Sequence, residues 1–572
     1  MISHRYSTGI CSILLLGCLL VIAQTASAQT AKLGTISGTV VNESGRPLSN
    51  ARVMLRRPGG VMGLENLSTT TDRKGKFEVS GLEPVNYQVL AILQGYVPLL
   101  RDLDDTQPPV YRTGDSVTLV LTKGGVITGT VTNQAGEPIV GVNVRAGMVN
   151  APNRFPYTYY GVGVAAITDD RGIYRIYGLP EGTYVVWAGS GEGYTSNIDP
   201  YEGEIPTYAP ASTRDAAQEI AVRPGAEASG IDIQYRGGSG HAVSGKARAS
   251  EGAQPQQFAI LLNSASGPQW QLRSYQADNQ RGFMLQGVDD GDYSITAVSQ
   301  RAKDEFMFSA PRQIKVRGAD VTGIDLLVEP LAAVSGRLVL EETKATGCSD
   351  KQRPVLSETL VSAQSDKPQP AFMFLLPKTS PDERGNISLK NLLPGRYYFT
   401  AQYFAKDWYL KSLLFAPPET AATKAGNPLD AARTWTRLKG GDRLNGLTIT
   451  LAQGAASVRG HIALSEGETL ADKLYVYLVP TLKEAGDDPL RFYVAPVTAE
   501  GKVSLNHLAP GHYLVLAQAV ADGSASPLTR VRLPDEKAFR TGLRRAAEQV
   551  KTELELKPCQ RVADLQVPVR TN

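Results

Sequence analysis

The side chains of this chain that could do chemistry are few, and their spacing argues against a catalytic centre. His4 lies near the N-terminus, which leaves His241, His461, His507 and His512. A hydrolytic zinc site needs His and Glu ligands, two of them close in sequence, and a carboxylate to move a proton. None of the four histidines has a Glu or His at such an offset, so they read as satisfied surface residues. No serine nucleophile elbow, phosphate-cradling glycine loop or Cys–His pair with a local frame occurs either. The expectation is no catalytic residue, no metal site and no cofactor.

Aromatic side chains make the better binding candidates. Tyr157, Tyr159 and Tyr160 sit in a Pro- and Gly-rich insertion, Trp187 lies on a nearby strand, and Tyr194, Tyr201 and Tyr208 follow in a loop broken by Pro200, Pro206 and Pro210. Flat rings on rigid loops suit stacking against sugars, and the phenols add hydrogen bonds. The competing reading is that these rings pack their own loop onto the domain beneath. Trp187 faces the opposite side of its strand from the core register. A second aromatic group, Trp408, Tyr409, Phe415 and Trp435, occupies a later insertion.

Acidic residues recur before a glycine at Asp72, Asp169, Asp170, Asp278 and Asp382. A calcium loop needs a run of alternating oxygen ligands, which no copy supplies, whereas Asp and Gly suffice for a hairpin turn.

The first 28 residues read as a secretory leader. His4 and Arg5 precede the apolar run from Ile10 to Ala23, and Ala26-Ser-Ala28 forms a small-residue cleavage site. Leu15-Leu-Gly-Cys18 loosely resembles a lipidation motif, but Leu16 is bulky for it. Cleavage leaves Cys348 and Cys559, which in an oxidising compartment pair or stay as buried thiols; the bridge is the expectation. The chain is then expected in the periplasm, at the outer surface or secreted, with no transmembrane segment. Of 572 residues, 42% are hydrophobic and 20% charged, with a formal net charge of +3. That balance is ordinary for folded domains and gives no reason to expect nucleic acid as a partner.

One repeat positions all of these residues. Five segments share a template, running from Gly75 to Tyr87, Gly172 to Tyr184, Gly282 to Tyr293, Gly385 to Tyr397 and Gly501 to Tyr513. Five residues before each tyrosine stands Leu82, Leu179, Val288, Leu392 or Leu508. After it come Val89/Ala91, Val186/Ala188, Ile295/Ala297, Phe399/Ala401 and Val515/Ala517. Period-two alternation puts tyrosine, aliphatic and alanine on one buried strand face. Gly182, Gly291, Gly395 and Gly511 stand two residues before the tyrosine and are expected to give the turn a positive φ. The pattern resembles a tyrosine corner, in which Tyr87, Tyr184, Tyr293, Tyr397 and Tyr513 would bond back to nearby backbone. Each copy opens alike, with Ile36-Ser-Gly38, Ile127-Thr-Gly129, Val243-Ser-Gly245, Val334-Ser-Gly336 or Val458-Arg-Gly460. Each ends on an alternating strand. In the last copy, residues 535–556 carry an apolar stripe of Phe539, Leu543, Ala546, Val550 and Leu554, which predicts a helix. Its Lys537, Arg540, Arg544, Arg545 and Lys551 would suit an anionic surface, although such a helix more often packs on its own domain.

The opening Ser-Gly, the Thr-Asp before the glycine and the Gly-Leu-Pro-Glu-Gly-Thr-Tyr184 corner together resemble the carboxypeptidase regulatory-like domain. The resemblance implies an all-β, transthyretin-like (Ig-like) sandwich, grouped with carbohydrate-binding-like folds, and no peptidase domain accompanies it. The predicted organisation is a leader (1–28) and five tandem sandwiches at 34–122, 123–236, 237–330, 331–453 and 454–572. The expected function is non-catalytic binding or adhesion, with a glycan or an envelope protein as partner; the alternative is a protein-interaction scaffold without glycan binding.

Overall fold

The computed structural model describes residues 33–58, 67–98, 109–149, 165–189, 201, 204–250, 258–264, 273–276, 282–302, 305–345, 348, 353–367, 378–416, 427–463, 470–471, 473–481, 487–521 and 526–568. The leader, Tyr157, Tyr159, Tyr160, Tyr194 and Asp278 lie outside them.

Each repeat builds two sheets from the same wiring. In one, the opening strand lies antiparallel to the strand before the corner and parallel to the closing strand. Gly34–Asn42 thus pairs with Lys76–Leu82 and with Ser116–Lys123. Ala332–Glu341 pairs in the same way with Asn386–Leu392 and Arg443–Gln453, and Ala456–Ala463 with Lys502–Leu508 and Arg561–Pro568. In the other sheet the tyrosine strand pairs antiparallel with the repeat's second strand, as Gly395–Gln402 does with Leu360–Ser365. The corner therefore carries the chain from one sheet to the other, and the two faces close a sandwich core between them. In the third repeat Glu305–Ser309 pairs with both Gly291–Ala302 and Val321–Pro330, which joins the layers into one eight-stranded sheet.

Parallel pairing explains the opening glycine. A Cβ on Gly38, Gly129, Gly245, Gly336 or Gly460 would collide with the carbonyl oxygen of Val117, Ile231, Ile324, Leu447 or Leu565 on the closing strand. Only a residue without a side chain lets the two backbones approach.

The corner itself is uniform. Each phenol donates to the carbonyl four residues upstream: Tyr87 to Glu83 (3.3 Å), Tyr184 to Pro180 (2.9 Å), Tyr293 to Asp289 (3.0 Å), Tyr397 to Leu393 (2.8 Å) and Tyr513 to Ala509 (2.8 Å). Burial raises the pKa of Tyr87 and Tyr513, so each phenol keeps its proton and its donor role. The expectation about glycine needs correction. Of Gly182, Gly291, Gly395 and Gly511, only Gly511 has a positive φ, 148°. At Gly291 a Cβ would instead press on the Tyr293 ring at 3.0 Å, and at Gly182 on Met148. The left-handed residue lies six before the tyrosine, at Gly81, Gly178, Gly287, Asn391 and His507, with φ from 57° to 76°. It accompanies the register shift where the pre-corner strand leaves the opening strand.

The acidic turns are hairpin caps. Asp72 Oδ1 accepts from the N–H groups of Lys74 and Lys76, Asp169 Oδ1 from Arg171 and Ile173, and Asp382 Oδ1 from Arg384 and Asn386. The Ile173 N–H first of all holds the Asp169 carboxyl below its usual range.

The predicted helix is shorter than its stripe. It runs Lys537–Val550 and stops at Lys551, whose φ of 56° is left-handed. Thr552–Leu556 alternates and pairs with the first half of Gly511–Ala519, which takes Leu554 off the helix. Leu543 and Ala547 are buried against Tyr477, Phe492 and Leu516. Arg540 is buried as well, donating to the Leu533 carbonyl (2.6 Å) and Asp487 (3.2 Å), so it does not belong to a basic surface. Among the described residues no helix is long and apolar enough to cross a membrane.

Candidate functional site

The loop aromatics of the second repeat that the structure describes fall into two groups. Trp187 and Tyr208 are buried, with ring centroids 5.6 Å apart, and pack with Val185 on the outer face of their sheet. Neither offers a face to a ligand, which corrects their assignment as stacking platforms; a two-residue strand, Thr207–Tyr208, pairs back onto Trp187 and covers it. Tyr201 is half-buried, donates to the Val140 carbonyl (3.0 Å) and meets Tyr235 edge-on at 5.9 Å. It ties its loop to the sandwich. In the fourth repeat Trp408 and Phe415 belong to the core, whereas Tyr409 packs against the core of the fifth.

Cys348 and Cys559 form a disulfide with Cα atoms 5.0 Å apart, joining the loop after Ala332–Glu341 to the turn before the last strand. It spans the fourth and fifth repeats. Among the described residues no group of three His, Cys, Asp or Glu could hold a metal ion.

What the sequence concealed is how the repeats meet. In the second to fifth repeats the left-handed residue before the corner lies at the junction with the preceding repeat. Gly178 packs against Gly124 and Gly287 against Gly240, both too close to admit a Cβ on the linker glycine. Asn391 accepts from the Phe306 N–H at 3.0 Å, and the His507 Nδ1 donates to the Trp408 carbonyl at 3.0 Å. His507 is thus half-buried rather than a surface residue, and burial depresses its pKa. The first repeat also docks on the fourth. The buried Asn86 amide donates to the Glu358 carbonyl (2.8 Å), Ser357 donates to the Pro84 carbonyl (2.7 Å), and Arg112 lies over the Phe404 ring at 4.4 Å.

Between the fourth and fifth repeats this packing leaves a cleft of about 440 Å³. One wall is the unbroken run Tyr398 to Tyr403, and the other carries Tyr493, Asn506, His507 and Arg532. Tyr403 meets the His507 ring edge-on at 4.9 Å, and Arg532 lies 5.6 Å from the Tyr493 ring centre. Burial raises the Tyr403 phenol far above its usual range, so it remains a neutral hydrogen-bonding group. Among the described residues no carboxylate lines the cleft. Aromatic faces, neutral donors and one cation at a single opening form a recognition surface rather than a reaction centre. Sequence reasoning missed it because its two walls come from different repeats; the unusual His507 at a glycine position was the available signal.

Residues 35–112 match the family profile of the carboxypeptidase regulatory-like domain. Among solved structures the chain is similar to the TIE protein of Bacillus anthracis, at 10% identity over 78% of this chain and 74% of that one, with a TM-score of 0.15. It is similar to two B repeat units of the collagen binding protein of Staphylococcus aureus at 12% identity, covering 74% of this chain and all of that one, with a TM-score of 0.13. The minor pilin of Streptococcus agalactiae matches at 13% identity over 36% of this chain and 97% of its own, with a TM-score of 0.18. TM-scores this low assign this chain neither an assembly nor a ligand. No curated protein matches it.

Proposed function

We propose that this chain, whose first repeat is a carboxypeptidase regulatory-like domain, is a non-catalytic binding protein exported to the cell envelope or beyond. In this reading residues 1–28 are a cleaved leader, and five sandwich domains at 34–122, 123–236, 237–330, 331–453 and 454–572 are packed into a fixed arrangement rather than strung as beads. The observation that carries the reading is the cleft of the fourth and fifth repeats, where aromatic and cationic groups from two repeats converge. Packed junctions hold such a composite surface ready for a partner, so little ordering entropy is lost on binding. The partner class this favours is protein. Recognition of glycan by Tyr157, Tyr159, Tyr160 and Tyr194 is the second reading. It draws on loop composition and on no described contact, and burial of Trp187 and Tyr208 removes two of its platforms.

The test is affinity capture by the mature chain from envelope proteins and from cell-wall polysaccharide in parallel. A saturable protein partner supports the proposal. Retention of polysaccharide alone supports the glycan reading, and retention of neither overturns both.

A further inference from the structure

The tyrosine strand of the fourth repeat has an open edge at positions that are covered in the second and third repeats. The Asp366 N–H donates to the Arg396 carbonyl at 3.1 Å. In an antiparallel ladder alternate residues face alternate sides. Tyr398, Thr400 and Gln402 therefore turn their main-chain groups toward Leu360–Ser365, and Tyr397, Phe399 and Ala401 turn theirs the other way. On that other side Thr436–Leu438 pairs only with Gly395 through Tyr397. Among the described residues no hydrogen bond reaches the outward N–H and C=O groups of Phe399 and Ala401.

In the second and third repeats the same positions are satisfied. In the second repeat the Val186 carbonyl accepts from the Ala209 N–H at 2.9 Å, and Ala188 pairs with Thr207. In the third, Ile295 pairs with Arg312, and the Ala297 N–H donates to Ser309 Oγ at 2.9 Å. Burial follows the same contrast: Ala188 and Ala297 are buried, whereas Ala401 is half-exposed. Six consecutive residues, Tyr398 to Tyr403, line the cleft. Both faces of a strand border one opening only when that opening runs along its edge.

Charge selects the occupant. Arg532 lines the cleft half-buried, donates to the Pro489 carbonyl (2.9 Å) and lies over Tyr493. It makes no ion pair among the described residues, and the lining contains no carboxylate to compensate it. A cation held in this way gains most from an acidic group delivered to it.

Resting on the reading of the chain as a protein-binding array, we infer that this cleft takes an extended acidic peptide of a partner protein. The peptide adds as a strand to the Phe399–Ala401 edge, sets a carboxylate against Arg532 and lays an apolar side chain against Tyr403 and Tyr493. Strand addition supplies the affinity, and the carboxylate supplies the selectivity.

The experiment pans a random octapeptide library, displayed on phage, against the full mature chain. Selected peptides are then resynthesised and titrated against wild type and Arg532→Gln. Expected are sequences alternating apolar and polar residues with an Asp or Glu at a fixed place, bound at least about tenfold more weakly by Arg532→Gln. N-methylation of alternate peptide amides should abolish binding in one parity and spare it in the other. Selection of peptides without an acidic residue, equal binding to Arg532→Gln, or insensitivity to N-methylation overturns the inference. So does binding of an oligouronate in place of any peptide, or a concentration-dependent dimer that Arg532→Gln dissolves, which would assign the cleft to a second copy. If the envelope capture succeeds and survives Arg532→Gln, the protein-binding reading stands and this cleft fails. If no protein is captured, the broader reading fails.

Discussion

Asn391 and His507 occupy one register position in successive repeats, six residues before the corner tyrosine, with φ of 58° and 57°. Each reaches back to the main chain of the repeat before it, Asn391 to Phe306 and His507 to Trp408. A single backbone demand of the corner has thus been combined with a contact that locks one repeat to the next. Asparagine meets that demand at lower strain than most side chains, whereas histidine adds a titratable group to the lock.

This arrangement makes the last junction pH-sensitive. Burial depresses the His507 pKa below its ordinary value, so the native junction favours the neutral ring. Stability from this group is fully present above the unfolded value and is lost as pH falls toward the folded one. Tyr403, Tyr493 and Arg532 share the cleft with the ring, and burial outweighs the hydrogen bond to the Trp408 carbonyl that favours the charged form. The unfolding midpoint of the mature chain should fall between about pH 7 and about pH 5, and His507→Asn, which keeps the backbone conformation, should flatten that fall. An unchanged pH profile in the variant would count against a titrating lock.

The corner phenols are structural. Tyr184→Phe removes the donor to the Pro180 carbonyl inside a filled core and should cost roughly 1 kcal/mol by denaturant titration. A change within error would show that the carbonyl finds another donor.

How much of this was legible in the sequence depends on whether a requirement is local. The tyrosine, its upstream leucine or valine and the trailing alanine follow strand alternation, so the core face could be read directly. The opening glycine was visible as a pattern, but its cause, a carbonyl on a strand nearly 80 residues away in the first repeat, was not. The left-handed position was hidden because Gly81, Gly178, Gly287, Asn391 and His507 do not look alike. The helix was overextended because Leu554 continues the stripe, while the break at Lys551 carries no glycine. The cleft escaped entirely, since neither wall signals the other.

The opening glycine gives the sharpest stability test. Gly336→Ala puts a methyl on the Leu447 carbonyl and should destabilise the fourth repeat by about 1–3 kcal/mol or more. Near-wild-type stability would mean that the two parallel strands can part without loss.

Docking of the first repeat on the fourth should respond to changes at their interface that leave either core intact. Asn86→Ala with Arg112→Ala removes the amide that reaches the Glu358 carbonyl and the cation over Phe404, together roughly 2 kcal/mol. Small-angle scattering should then report a larger radius of gyration with unchanged circular dichroism. An unaltered radius would place the fixed arrangement in other contacts.

The proposed role of the junction of the fourth and fifth repeats is recognition of a protein. Its most direct test is a photo-crosslinking residue at Asn506, which is exposed and lines the cleft, with Glu78 on the first repeat as the control position, in cells that export the chain. A discrete protein adduct is expected from position 506, lost with Arg532→Gln and absent from position 78. An adduct that persists in Arg532→Gln, or crosslinks at position 78 alone, would contradict that role.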